Sequence, residues 1–116
     1  MINKEKYAGT VSHGTMRSED LIPAFIDTLM MIHDDLKLGN DECKEKANEI
    51  NLSVQEIKMR LQNEVSKKDY FRSEMVDYDT EELFDLLNEV APEGYYFGAH
   101  PGDGSDFGFW EYEDEI

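Results

Sequence analysis

The sequence predicts an α+β fold in which three or four helices pack against a C-terminal β-hairpin. Apolar residues recur at three- and four-residue steps over much of the region before residue 91, which is the periodicity of amphipathic helices. After residue 94 the pattern changes to two aromatic-rich runs separated by Gly, Pro and Asp, as in two strands joined by a turn. A chain of 116 residues suits one hydrophobic core, so we expect a single domain.

The N-terminal residues 1–14 lack helical periodicity, so we expect an extended arm with a short strand around Thr10 and Val11. A first helix is predicted over residues 18–38, where apolar residues recur at every third or fourth position. Ser18 and the two acidic residues after it suit the start of this helix through capping and the helix dipole. Its expected buried stripe consists of Leu21, Phe25, Leu29, Ile32 and Leu36.

The middle section, residues 41–68, has apolar residues spaced alternately by four and three, like a coiled-coil seam. One long helix explains this spacing. Ser53 and Glu56 match a capping box, however, so two helices separated by a break at Asn51 and Leu52 explain it equally well. The seam also allows self-association as a homo-oligomer. Its residues are Cys43, Ala47, Ile50, Val54, Ile57 and Leu61.

The remaining elements are a connector, a helix and the hairpin. Residues 69–79 mix aromatic and charged side chains, which favours a connector. A helix is predicted over residues 80–91, with Asp79 or Thr80 as its N-cap, and it must end before the Pro-Glu-Gly sequence that follows. Residues 95–112 should form the hairpin and pack on the helices, because an isolated hairpin is only marginally stable.

The aromatic side chains of the hairpin should divide into two sets, because alternate residues of a strand face opposite sides. We expect Tyr96, Phe107 and Phe109 in the core. The outer set, with Trp110 or Tyr95 according to the strand register, would lie beside the acidic C-terminal residues.

Negative charge is concentrated in the last third of the chain. The formal net charge is −16, and residues 1–72 contain all 11 Lys and Arg residues together with 13 Asp and Glu residues. Residues 73–116 contain 14 Asp and Glu residues and no Lys or Arg. Such a surface attracts cations and basic proteins and repels phosphate backbones. We therefore expect a basic protein partner and no direct binding of nucleic acid.

Several other classes of protein are disfavoured. No stretch approaches the roughly 18 consecutive apolar residues of a transmembrane helix, and the N-terminal sequence lacks the apolar segment of a signal peptide. A single cysteine, Cys43, supports neither an intrachain disulfide nor a cysteine-based zinc site. These features predict a cytoplasmic protein without a membrane partner.

Ligand-capable side chains are densest in the expected hairpin turn, at His100, Asp103, Ser105 and Asp106. These groups are potential ligands for a divalent cation, but Asp and Gly also favour turns for conformational reasons. Neither an EF-hand loop nor an HExxH helix is present. A Ser-His-Asp triad is disfavoured because three side chains so close in sequence rarely align as nucleophile, base and orienter. We therefore expect no enzymatic activity, no cofactor and no metal.

Two stretches, residues 14–25 (GTMRSEDLIPAF) and residues 91–110 (APEGYYFGAHPGDGSDFGFW), resemble a family of small acidic proteins. Plasmids, conjugative elements and phages of Gram-positive bacteria encode this family. Small acidic proteins of such elements include inhibitors of host restriction and CRISPR systems. Because the resemblance points to the same kind of mobile genetic element, it implies by analogy an inhibitor of a host nucleic-acid-binding protein.

These observations favour a non-enzymatic protein whose carboxylates mimic a nucleic-acid backbone and occlude a basic host protein. Two alternatives stay open, namely a self-associating helical scaffold without an inhibitory role and a metal-binding domain. The high negative charge is also explained by solubility alone. The expected partner-binding residues are Glu81, Glu82, Asp85, Glu89, Asp103, Asp106, Trp110, Glu111, Glu113, Asp114 and Glu115.

Overall fold

The structure, a computed structural model, describes residues 4–63, 71 and 74–112, which form four helices and a three-stranded antiparallel sheet. The predicted α+β class is therefore confirmed. The helices are α1 (Lys4–Tyr7), α2 (Ser18–Leu36), α3 (Asp41–Asn63) and α4 (Glu74–Glu89). The strands are β1 (Gly9–Ser12), β2 (Tyr95–His100) and β3 (Asp103–Glu111). None of the described helices combines the length and apolar character that crossing a membrane requires.

Strand β3 lies in the centre of the sheet, because both β1 and β2 pair with it. The predicted hairpin is formed by β2 and β3, with Phe97 opposite Phe109. The turn is shorter than the sequence suggests, since only Pro101 and Gly102 separate the two strands. The polar residues from Asp103 onward therefore belong to a strand and not to a loop.

The expectation of an extended arm over residues 1–14 is only partly right. Strand β1 confirms the predicted short strand, but α1 is a helical turn, and residues 1–3 lie outside the described part of the chain. Tyr7 explains this turn, because its ring is buried and meets Phe109 edge to face, with ring centroids 6.5 Å apart. The Tyr7 hydroxyl also donates a hydrogen bond to Asp35, near the end of α2. Long-range contacts thus hold this segment.

An ion pair strengthens the link between α1 and α2, since Lys6 Nζ lies 3.0 Å from Asp35 Oδ2. The pKa of Asp35 is lowered, first by the hydrogen bond from Tyr7 and then by the hydrogen bond from Lys6. Burial, followed by the hydrogen bond to Asp35, raises the pKa of Tyr7. At neutral pH the contact therefore joins a phenol and a carboxylate.

Helix α3 is one continuous helix, so of the two alternatives that the sequence left open, one long helix is right and a break at Asn51 and Leu52 is not present. Residues 64–68 of the predicted helical section lie outside the described residues. The coiled-coil-like seam packs inside the chain, where Ala47, Ile50 and Val54 are at most 1% exposed. Ile57 is also fully buried, and the end residues Cys43 and Leu61 are half-buried against the same core. The seam therefore does not face a second copy of the chain.

Helix α4 is already helical at Glu74, so the predicted connector is wrong over residues 74–79. Asp79 and Thr80 lie inside the helix and are not its N-cap, and the Thr80 hydroxyl donates to the carbonyl oxygen of Val76 at 2.7 Å. Asp79 occupies a buried position in the helical repeat. A charged residue at this core position hid the apolar periodicity in the sequence.

Contacts between aromatic rings join the helices to the sheet. The ring of Phe97 lies edge to face with Phe25, Phe84 and Phe109, at centroid distances of 5.1–5.2 Å. The expectation that Tyr96 lies in the core is wrong, because strand alternation directs Phe97 inward and leaves Tyr96 on the opposite face. The predicted burial of Phe109 is confirmed, and Phe107 is half-buried against the core.

Strands β1 and β3 approach so closely at Gly108 that a side chain there is excluded. A Cβ atom at this position would lie 2.1 Å from the carbonyl oxygen of Gly9 and 2.9 Å from Cα of Thr10. We expect Gly108→Ala to lower the free energy of unfolding by about 2 kcal/mol, because β1 must move away from β3. Urea denaturation followed by circular dichroism measures this loss.

The matched control for this prediction is Gly104→Ala in the same strand, where a new Cβ would meet no described atom within 4 Å. We expect little change in its urea midpoint. Equal losses of stability in the two variants would contradict the steric explanation.

Candidate functional site

Helices α3 and α4 line a groove of about 570 Å³, which we call the acidic groove. Six of its ten lining residues carry carboxylates. Four of the expected partner-binding residues lie together here, exposed on successive turns of α4: Glu81, Glu82, Asp85 and Glu89. The other lining residues are Glu49, Arg60, Met75, Tyr78, Asp79 and Leu86.

The helical repeat of α4 explains why these carboxylates share one side. Leu83 and Leu87 are fully buried, so side chains about half a turn away from them face solvent. Residues 81–89 span about 12 Å of helix axis at 1.5 Å per residue. A row of four carboxylates is therefore a direct consequence of burying the apolar stripe of this helix.

A part-buried ion pair between Arg60 and Asp79 joins the two walls of the groove. The side chain of Asp79 is only 3% exposed, whereas that of Arg60 is 29% exposed. Arg60 Nε donates to Oδ2 of Asp79 at 2.9 Å, and Nη2 donates to Oδ1 at 2.5 Å. This two-point geometry is the strong form of an Arg–carboxylate contact. Asp79 is therefore a structural residue, and sequence reasoning missed its pairing with Arg60.

Lys46 makes a second cross-helix contact at the groove. Its Nζ atom lies 2.9 Å from Glu49 Oε2 and 3.0 Å from Glu89 Oε2. Burial alone would lower the pKa of Lys46, but the hydrogen bonds to these two carboxylates raise it. Among the described residues, the groove has six carboxylates, and Lys46 and Arg60 each contribute one positive charge. The sum is a formal charge of −4. The cations of the described part of the chain thus neutralise the groove only in part.

Among the described residues, four further expected partner-binding residues lie on β3 and not in the acidic groove: Asp103, Asp106, Trp110 and Glu111. Trp110 is half-buried on the outer face of the sheet, where Nε1 donates to the carbonyl oxygen of Gly98 at 2.8 Å. Glu111 is exposed at the end of β3. The acidic residues Glu113, Asp114 and Glu115 lie outside the described residues.

Asp103 and Asp106 meet a different histidine from the one that the sequence suggested. Nδ1 of His100 accepts a hydrogen bond from the backbone N–H of Gly102 at 2.9 Å, within the hairpin turn. His13, which follows β1, joins the two aspartates instead, and one ligand atom from each of the three residues lies within 4.8 Å of the others. We call these three residues the His13 cluster. Sequence reasoning missed His13 because it is 90 positions from Asp103.

Comparison with known proteins identifies no relative of this chain. No protein-family model matches it, no curated protein is significantly similar to it, and no solved structure matches it significantly. The resemblance of residues 14–25 and 91–110 to acidic proteins of mobile genetic elements therefore stays a prediction.

Proposed function

We propose that this chain is a non-enzymatic binding protein whose acidic groove holds a basic segment of a host nucleic-acid-binding protein. While the acidic groove holds that segment, nucleic acid cannot bind to it, and the host protein is inhibited or regulated. The observation that supports this proposal best is the row of exposed carboxylates on α4, which faces an only partly neutralised groove. A surface that binds phosphates through Lys and Arg is complementary to such a row.

The charge density of the row supports mimicry of a nucleic acid. Four carboxylates over about 12 Å of helix axis correspond to one negative charge for every 3 to 4 Å. One strand of duplex DNA presents one phosphate for about every 3.4 Å of its axis. A basic protein surface would therefore meet a similar density of negative charge on α4.

Two exposed side chains of the lining, a methionine and a tyrosine, offer a partner apolar contact in addition to charge. Met75 is 43% exposed and Tyr78 is 73% exposed, and both contribute to the acidic groove. Protein interfaces commonly surround exposed aromatic and Met side chains with polar residues. The partner segment is therefore expected to combine Lys or Arg side chains with at least one apolar side chain.

The alternative of a self-associating scaffold loses its structural support, because the α3 seam is used inside the chain's own core. The oligomeric state itself stays a prediction, which light scattering measures. The solubility explanation requires only that the surface be acidic. It does not require that the carboxylates share one groove, and this difference permits a direct test.

The test compares two variants that each lose four negative charges. The groove variant neutralises the α4 row by E81Q, E82Q, D85N and E89Q. The scattered variant neutralises exposed carboxylates elsewhere by D27N, D34N, D41N and E93Q. Immobilised wild-type and variant chains are exposed to host lysate at low and moderate salt, and retained proteins are identified by mass spectrometry.

We expect the wild-type chain and the scattered variant to retain a basic nucleic-acid-binding protein, and moderate salt to weaken this retention. The groove variant should bind the purified partner about tenfold or more weakly, because each exposed ion pair contributes up to about 1 kcal/mol. The wild-type chain should also displace nucleic acid from that partner. Equal loss of binding in both variants, or no displacement, would contradict the proposal.

A further inference from the structure

We propose that the His13 cluster, formed by His13, Asp103 and Asp106, is a binding site for a divalent transition-metal ion such as Zn²⁺. One imidazole and two carboxylates are a mixed nitrogen and oxygen donor set, which suits zinc and its neighbours in the first transition row. The three residues come from two separate segments, the loop after β1 and strand β3. The site therefore depends on the folded sheet and lies outside the acidic groove.

The separation of the donor atoms is close to that of a metal site. Ligand atoms at about 2.0–2.1 Å from a tetrahedral ion are about 3.3–3.5 Å from one another. His13 Nε2 and Asp103 Oδ2 are already 3.3 Å apart. The full set lies within 4.8 Å, and rotation of the exposed side chains of His13 and Asp103 is needed to bring all three donor atoms to that spacing.

The backbone holds two of these ligands in place before any ion binds. The N–H of Gly14 donates to the carbonyl oxygen of Ser105 at 3.2 Å, which fixes the loop that contains His13 beside β3. Gly14 adopts a φ of 80°, a conformation that favours glycine. The backbone N–H and the hydroxyl of Ser105 both donate to Oδ1 of Asp103, at 3.0 and 2.9 Å. The other oxygen of Asp103, Oδ2, therefore faces His13.

Asp106, which is half-buried, contributes a carboxylate with an unsatisfied oxygen atom. Its Oδ1 atom is buried from solvent and has no hydrogen-bond partner among the described residues. A buried acceptor without a partner costs stability, and native proteins usually satisfy such groups. A cation bound by this carboxylate compensates that cost. The cluster thus combines a close His–Asp contact with an unsatisfied acid.

The proposal is tested by calorimetric titration of the full chain with zinc chloride, after chelation and dialysis, in about 0.15 M salt to screen diffuse charge. We expect one specific Zn²⁺ per chain. His13→Gln should weaken it by about tenfold or more, because it removes the imidazole ligand. His33→Gln is the matched control, since His33 lies on α2 and outside the cluster, and it should bind zinc like the wild type.

A second variant and a second measurement separate binding from folding. Asp106→Asn keeps the size of the side chain and should also weaken zinc binding by about tenfold or more. Zinc should raise the Tm of the wild-type chain and of His33→Gln, but not that of His13→Gln, because binding stabilises only the folded state. Equal affinities in wild type, His13→Gln and Asp106→Asn would show that zinc is attracted only diffusely to the −16 chain, and would overturn the proposal.

Discussion

Phe97→Ala is expected to lower the free energy of unfolding by about 4 kcal/mol, the largest effect of any single substitution considered for this chain. Phe97 is 2% exposed and lies edge to face with rings from α2, α4 and β3. Removing it leaves a cavity where the helices meet the sheet, and three aromatic contacts are lost with it. Chemical denaturation followed by tryptophan fluorescence and circular dichroism measures the loss.

Tyr112→Ala is the matched control for Phe97→Ala. Tyr112 is 60% exposed and contacts the ring of Tyr96 on the outer face of the sheet. Removing an aromatic ring there should cost less than about 1 kcal/mol, because little apolar surface is buried. Similar losses in the two variants would mean that Phe97 is not central to the core.

Arg60→Met is expected to lower the free energy of unfolding by about 3 kcal/mol. The substitution keeps a long side chain with good helix propensity, but it removes both hydrogen bonds from the guanidinium to the buried carboxylate of Asp79. Removing the guanidinium from a nearly buried carboxylate is costly, because the Coulomb attraction and the hydrogen bonds that it supplied no longer offset desolvation. Equilibrium unfolding in urea measures the change.

Two comparisons test this explanation. Arg17→Met removes an exposed pair with Glu19, whose side chains are 68% and 50% exposed, and should cost at most about 1 kcal/mol. Adding Asp79→Leu to Arg60→Met should recover most of the lost stability, since an apolar side chain then fills a core position of α4. Failure of the double variant to recover would show that the guanidinium stabilises the chain by other contacts than its pair with Asp79.

The helices that the sequence predicted correctly are those whose burial pattern is local. The stripe of α2 and the seam of α3 each repeat at helical spacing, and the core buries them as expected. The carboxylate row from Glu81 to Glu89 was visible for the same reason, because a helix that buries its leucines exposes the residues between them. The aromatic hairpin was likewise evident from a composition change and a Pro-Gly turn signal.

The elements that the sequence did not reveal depend on contacts between distant residues. Helix α4 was predicted to begin too late because Asp79 interrupts its apolar repeat, and its pairing with Arg60, 19 positions earlier, helps to explain a carboxylate at that site. In the same way, α1 is held by a hydrogen bond from Tyr7 to Asp35 on another helix. Local periodicity contains no information about either partner.

The sequence alone determined the fold class, the main helical faces, the hairpin and the acidity of α4, because each follows from side-chain spacing along a single element. Only the tertiary structure decided which elements face one another. It joined α3 and α4 into a partly neutralised acidic groove, placed β1 against β3, and brought His13, instead of His100, to Asp103 and Asp106. The physical reason is that pairing of strands and packing of helices depend on the summed burial of the whole core, which no local pattern encodes.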